Sequence, residues 1–172
     1  VNPGARRYDP FAPASWCFWR WRPINGDYRG DYRNSFRDVP EPYLLRLYVF
    51  MCQLFSVCLH WINFPDPDLD PHDHQRGFVS IVLRGSYVEE VYPRLGDRAA
   101  VAALPTVRRV RWFNVKKQGD AHRIVSTSGK VLTLVFHGPR RREWNFWVLD
   151  TDGLSRRPVY WRDYTAGTPR ES

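Results

Sequence analysis

The chain has 172 residues, 43% of them hydrophobic, enough for one domain to bury a core without disulfides. Fourteen prolines, eleven glycines and 16% aromatic residues, spread over many short segments, exclude a helical bundle and favour strands joined by turns. The formal charge of +8, carried mainly by arginine, permits an anionic partner without identifying one, because basic charge also serves solubility.

Residues 1–40 crowd Arg6, Arg7, Trp16, Phe18, Trp19, Arg20, Trp21 and Arg22 ahead of a short repeat, GDYRGDYR, from Gly26 to Arg33. Neither piece shows helical period or sustained alternation, so this stretch is expected to be an irregular arm. Its aromatic content argues against a free tail and for packing across a barrel or onto a second subunit. Such residues could also stack bases, but no nucleic-acid motif accompanies them, and nucleic acid is not an expected partner. Val1 to Pro13 holds no apolar stretch with a small-residue cleavage site. Cys17, Cys52 and Cys58 are odd in number and lack framework spacing. Both features make a reducing cytoplasm the expected compartment.

Residues 41–150 read as the barrel. Tyr43 to Phe64 is long and apolar, yet Arg46, Gln53 and His60 argue against a membrane span, and the segment reads as two strands, Leu45–Phe50 and Phe55–Phe64. Pro65 to Pro71, alternating Asp and Pro, is a loop. Further strands are expected at Phe78–Leu83, Tyr87–Tyr92, Arg108–Val115, His122–Ser126 and Val131–His137. Gly85 marks a turn, Arg94 to Thr106 a loop, Gly119–Asp120 a turn, and Ser128–Gly129 a hairpin between the last two strands. Residues 151–172 form a polar tail that is expected to end loosely.

No Gly-rich phosphate loop, nucleophile elbow or kinase signature occurs, so the candidate chemistry rests on histidines. His72 and His74 are two apart, which on a strand turns both imidazoles to one face and Asp73 to the other. His122 follows the turn Gly119–Asp120–Ala121 at the head of another strand. Three neutral imidazoles with open positions suit a catalytic metal site.

The order of these features resembles the cupin family, whose motifs read G(X)5HXH(X)3,4E(X)6G and G(X)5PXG(X)2H(X)3N. His72, His74 and Gly85 match the first motif, and Gly119 and His122 match the second. Phe78 stands where the first motif has glutamate; Lys117 and Ser126 replace the proline and asparagine of the second. The stretch Thr133 to Trp147 also resembles small single-cupin proteins of phage and bacterial origin. The resemblance implies an all-β fold, a single-domain cupin double-stranded β-barrel or jelly roll, with a divalent transition metal on His72, His74 and His122. It also implies a homodimer. The absence of the glutamate is similar to the thiol dioxygenases, which hold iron(II) on three imidazoles; this favours Fe(II) over Zn, Ni or Mn.

Other residues carry two readings each. His60 lines the pocket or is a buried, hydrogen-bonded histidine. One of Glu89 and Glu90 enters the barrel, to replace the missing carboxylate or act as a general base, or the pair is a solvated edge. Tyr87 offers a hydroxyl to a substrate or is an aromatic core residue. His137 suits a structural place at a loop edge. Arg140–Arg142 with Arg108, Arg109 and Arg111 form a basic rim for an anionic substrate or a solvated face. The leading expectation is a cupin oxygenase acting on a small, anionic molecule. A nucleotide-sugar isomerase or epimerase and a non-enzymatic interaction module, for instance in a viral assembly, are the alternatives.

Overall fold

A computed structural model describes residues 17–24 by their backbone, and residues 43–52, 54–92, 104–151, 153, 155–161 and 163–164 in full. Among them there is no helix, and eleven strands follow in chain order: β1 (Cys17–Ile24), β2 (Leu44–Met51), β3 (Ser56–Ile62), β4 (Phe78–Arg84), β5 (Tyr87–Val91), β6 (Thr106–Val110), β7 (Phe113–Lys116), β8 (His122–Thr127), β9 (Val131–His137), β10 (Asn145–Leu149) and β11 (Arg156–Tyr160). All pairings are antiparallel. One sheet has the order β1-β2-β3-β9-β4-β7. Opposite it lie β6-β5-β8 and the hairpin β10-β11, joined through His72, which bridges both His122 and Phe146.

The chain changes sheet after β4, β6, β7, β8 and β9, and the corners after β4, β6 and β8 lie at one end of the barrel. These corners meet, with Ser128 N donating to Ser86 O at 2.9 Å and Val82 N to Trp112 O at 2.7 Å. Gly85 turns there with φ +79, and a Cβ on it would press on Ser128 and Val131 at 3.2 Å, so the corner requires glycine. Two expectations change as a result. Ser128–Gly129 does not close a hairpin, because β8 pairs with β5 whereas β9 pairs with β3 and β4. The single strand expected over Arg108–Val115 is two, broken at Arg111–Trp112 where the chain changes sheet.

Beside these corners lies the apolar core: Leu44, Ile62, Val82, Tyr87, Val110, Ile124 and Val131. The other end holds the starts of β3, β4 and β8 and the end of β9, which carry Ser56, Phe78, His122 and His137. One end of the barrel is therefore plugged by aliphatic side chains, and the other is lined by polar ones.

The terminal segments depart from expectation. Residues 17–24, inside the stretch expected to be irregular, form β1, whose short Trp-Arg-Trp-Arg alternation pairs with β2 from Cys17↔Met51 to Ile24↔Leu44. The expected loose tail supplies β11, paired with β10 from Asn145↔Tyr160 to Leu149↔Arg156. Residues 1–16, 25–42, 93–103 and 165–172, with the GDYR repeat and most of the Arg94–Thr106 loop, lie outside the described residues. No helix among those described is long and apolar enough to cross a membrane.

Asp73 fastens the histidine-bearing segment. It is fully buried and accepts hydrogen bonds from Arg142 Nη2 at 2.7 Å, Asn145 N at 2.9 Å and Trp147 Nε1 at 3.1 Å. Removing its carboxylate would strand two buried N–H groups. Asp73→Ala is expected to cost about 2–4 kcal/mol in urea unfolding; a loss under about 0.5 kcal/mol would show that solvent replaces these bonds.

Candidate metal centre

The three histidines come from two neighbouring backbones. His72 N donates to His122 O and His122 N to His72 O, both at 3.0 Å, which sets the two residues side by side across the sheet. The next residues tie to the other neighbour, with Asp73 N bonded to Asn145 O at 3.0 Å and Trp147 N to Pro71 O at 2.8 Å. Alternation then turns Asp73 away and returns His74 to the face of His72, as the HXH spacing predicts. One ligand nitrogen from each of His72, His74 and His122 lies within 4.8 Å of the others. His74 Nε2 approaches His122 Nε2 at 2.7 Å, and the rings of His72 stand 5.1 Å from those of both His74 and His122.

Glu89 enters the barrel, and Glu90 stays at the edge on Tyr92 Oη at 2.9 Å and Arg123 Nη2 at 3.0 Å. The Glu89 carboxylate is wholly buried behind His122, not beside the other imidazoles. Its Oε2 faces His122 Nδ1 at 2.8 Å and Lys116 Nζ at 3.2 Å, and its Oε1 accepts from Arg108 Nε at 2.6 Å and Asn114 Nδ2 at 3.1 Å. With its oxygens held by four donors, Glu89 neither replaces the missing ligand carboxylate nor is placed to take a proton from a substrate. Burial alone would raise its carboxyl, but His122, Lys116 and Arg108 outweigh burial and hold it at about 2. An ionised Glu89 accepts the Nδ1 proton of His122, which leaves the Nε2 lone pair facing His74 and free for a metal.

Desolvation depresses every imidazole in the set. His72 falls to about 4 through burial and the nearby Lys116 ammonium, His74 falls well below its ordinary value through burial and the other histidines, and His122 is lowered by burial against the pull of Glu89. All three are neutral near pH 7, the state in which imidazole donates to a metal. Asp66 Oδ2 stands 3.8 Å from His72 Nδ1 while accepting from Ile124 N at 2.8 Å, and burial raises its carboxyl to about 6. The donor set thus fits a divalent transition metal held by three neutral nitrogens.

Phe78, in the motif's glutamate position, is present as an edge-on ring 4.9 Å from His74, so an apolar wall stands where the carboxylate would be. A cavity of about 230 Å³ opens from the three histidines and is also lined by His60, His137, Arg46 and Tyr48. His60 therefore reaches the pocket, and it is hydrogen-bonded as well, since its Nε2 accepts from Arg46 Nε at 2.8 Å. His137 lines the same cavity instead of only closing its strand, with Nδ1 at 3.1 Å from Ser56 Oγ. Tyr87 borders the cavity but belongs to the core cluster, its hydroxyl accepting from Asn114 Nδ2 at 2.9 Å and pushed up to about 12 by burial. The basic rim is partly consumed by buried acids: Arg108 pairs with Glu89 and Arg142 with Asp73, while Arg140 pairs with the exposed Glu143.

Asn114, Lys116 and Asp66 support the centre without having been singled out in the sequence. The strand FNVK would place Phe113 and Val115 inside by hydrophobicity, yet both are exposed and the polar pair is buried. A buried carboxylate opposite them is the one signal that reverses this choice.

Fold and site together define an all-β jelly roll with a three-histidine centre, the arrangement that the cupin resemblance implies. Solved structures similar to this chain include KdgF from Halomonas sp., 18% identical, covering 60% of this chain and 86% of that one with a TM-score of 0.44. An RmlC-like cupin from Shewanella frigidimarina is 14% identical over 58% of this chain and 79% of its own, with a TM-score of 0.40. The DMSP lyase DddQ from Ruegeria pomeroyi is 13% identical over 70% of this chain and 56% of its own, with a TM-score of 0.43. No family model and no curated protein matches the chain. The likeness to phage proteins finds no support among these structures.

Buried neutral histidines make folding sensitive to acid. His60 and His74 lie well below their ordinary value, His122 below it, His72 at about 4 and His137 at about 3. Unfolded, each titrates near 6.5. As pH falls through that value the unfolded chain takes up protons that the folded one refuses, and stability drops by up to about 1.4 kcal/mol per pH unit for each histidine. Asp66 and Asp73, both raised in the folded state by burial, oppose this, but they are fewer than the five histidines. The melting temperature of metal-stripped protein is therefore expected to fall steadily from pH 7 to pH 5; a constant or rising value would contradict the buried neutral assignment.

Proposed function

We propose that the protein is a metal-dependent cupin enzyme acting on a small molecule in the cavity, with His72, His74 and His122 as metal ligands and iron(II) as the metal. The observation that carries this reading is the convergence of three neutral imidazole nitrogens, one of them fixed from behind by Glu89, on the wall of a cavity. Three ligands leave coordination positions open, which marks a catalytic centre and not a closed structural one. Iron(II) bound there would supply dioxygen and one-electron chemistry, and a donor set without carboxylate leaves more positive charge on the metal. The chain's own residues do the remaining work. Glu89 fixes the tautomer and ring plane of His122, Phe78 excludes water beside His74, and the aliphatic plug closes the far end of the barrel.

Metal analysis of protein purified from iron-supplemented medium tests the centre. About one metal per chain is expected, with His122→Ala and His72→Ala losing it, and a metal-free wild type would end this reading. Glu89→Gln, which keeps the shape but removes the charge that holds the His122 proton, is expected to weaken metal affinity by about 10–100-fold. Oxygenase chemistry has its own test: dioxygen uptake with candidate thiols or oxo acids supports it, whereas turnover that persists without air and in the presence of chelator would favour an isomerase.

A further inference from the structure

The Glu89 carboxylate that holds the His122 proton does not serve His122 alone. Its Oε2 lies 2.8 Å from His122 Nδ1 and 3.2 Å from Lys116 Nζ, while its Oε1 takes Arg108 Nε at 2.6 Å. Lys116 stands on β7 cross-strand from Phe78 on β4, at the metal-binding end of the barrel. Its side chain is 2% exposed, against 44% for Arg108. Among the described residues Glu89 is the one acid paired with the Lys116 ammonium, and that contact is not aligned as a hydrogen bond.

A sealed ammonium is costly, and lysine is seldom buried this completely. Arg108 and two hydrogen bonds from Asn114 Nδ2, at 3.1 and 3.2 Å, already bind and neutralise Glu89, so Lys116 is not needed to keep it ionised. An apolar side chain of the same length would fill the place without the desolvation cost. The charge itself therefore asks for a use. A carboxylate behind a metal-bound imidazole raises the basicity of that ligand by drawing on its second ring proton. A cation on the same carboxylate oxygen competes for the negative charge, weakens the pull on the proton and leaves the imidazole a poorer donor. The field of Lys116 also reaches the ligands directly, since it helps depress His72, His74 and His122 in a low-dielectric interior that screens it little.

We propose that Lys116 is a positioning residue that attenuates the metal centre: it shares Glu89 Oε2 with His122, limits the electron density that Glu89 passes to the ligand set, and so keeps a bound divalent ion loosely held and electron-poor. This role rests on the reading of His72, His74 and His122 as metal ligands, whereas the sharing of Oε2 does not. An ion held in this way is more electrophilic toward an oxygen donor placed at its open positions. Glu89 and Lys116 thus act in opposite senses on one nitrogen, the first strengthening it as a ligand and the second holding that strength down.

The test uses the full chain at pH 8, with cobalt(II) as the probe in competition with a chelator, and the metal-stripped protein for NMR. Lys116→Met is expected to bind cobalt(II) about tenfold more tightly than wild type, a direction that structural damage does not produce. In the stripped protein it is expected to move the His122 Nδ1 proton downfield, as the hydrogen bond to Glu89 strengthens. Lys116→Arg, which keeps the charge, is expected to stay within about threefold of wild type. Equal or weaker cobalt(II) binding by a folded Lys116→Met, or an unmoved Nδ1 proton, would overturn the proposal. A wild type that binds no cobalt(II) would sink the metal reading and the attenuating role with it, while the proton shift still decides whether Oε2 is shared. Lys116→Gln supplies the same comparison where the methionine variant fails to fold.

Discussion

The paired backbone hydrogen bonds between His72 and His122 are the constraint on which the site and half the barrel depend. Through them His72 bridges His122 on one side and Phe146 on the other, a backbone link between β10-β11 and β5-β6-β8 that the packing of Trp147 with Tyr92 and Ala121 and of Arg156 over the Tyr92 ring reinforces. The same bonds fix the separation of two imidazoles before any side-chain rotamer is chosen, since directly opposed residues on antiparallel neighbours are held about 5 Å apart. The proline-rich loop before them is anchored in turn, with Asp66 N bonded to Ile124 O and its carboxylate to Ile124 N. Sheet closure and ligand placement are thus one event, and a metal binding here would stabilise the same junction that folding creates.

Strand existence was legible from sequence because short β-branched and aromatic runs are punctuated by Gly and Pro; Val131–His137 and Phe78–Leu83 are where the pattern puts them. Which sheet each strand joins was not legible. The turn at Ser128–Gly129 has the composition of a hairpin, and nothing local distinguishes it from a corner at which the chain leaves one sheet for the other. Likewise β1 and β11 are arginine-rich, and they become strands because β2 and β10 each offer an unpaired edge, a property of the assembled sheet and not of their own residues.

At the site, the ligands themselves were legible, since the HXH and GXXH spacings encode them directly. The partners behind them were harder. Alternation showed that one of Glu89 and Glu90 points inward without saying which, and the role of Glu89 depends on Asn114 and Lys116, which lie on a strand whose apolar residues face out. Val79, Ile81 and Leu83 on β4 repeat this inversion, exposed while Phe78 and Ser80 face the cavity. Periodicity locates two faces and hydrophobicity then chooses the inner one, a choice that fails where the interior must hold a charged network around a cavity.

That inversion shows how charge is arranged through the barrel. The Glu89 carboxylate is surrounded by Arg108, Lys116, Asn114 and His122, so the protein supplies more positive than negative charge around a group sealed from water. On the opposite wall, Arg46 adds a further cation over neutral rings. The cavity is lined by Arg46 and Arg76 against Asp66 and Asp73, with its imidazoles kept uncharged by burial, so its fixed charges are close to balanced. A metal on the three histidines would tip that balance toward an anionic guest. Ligand binding and metal binding would then reinforce each other through shared electrostatics across one low-dielectric space, with Phe78 as the apolar divider that keeps the two positive centres from being joined by solvent.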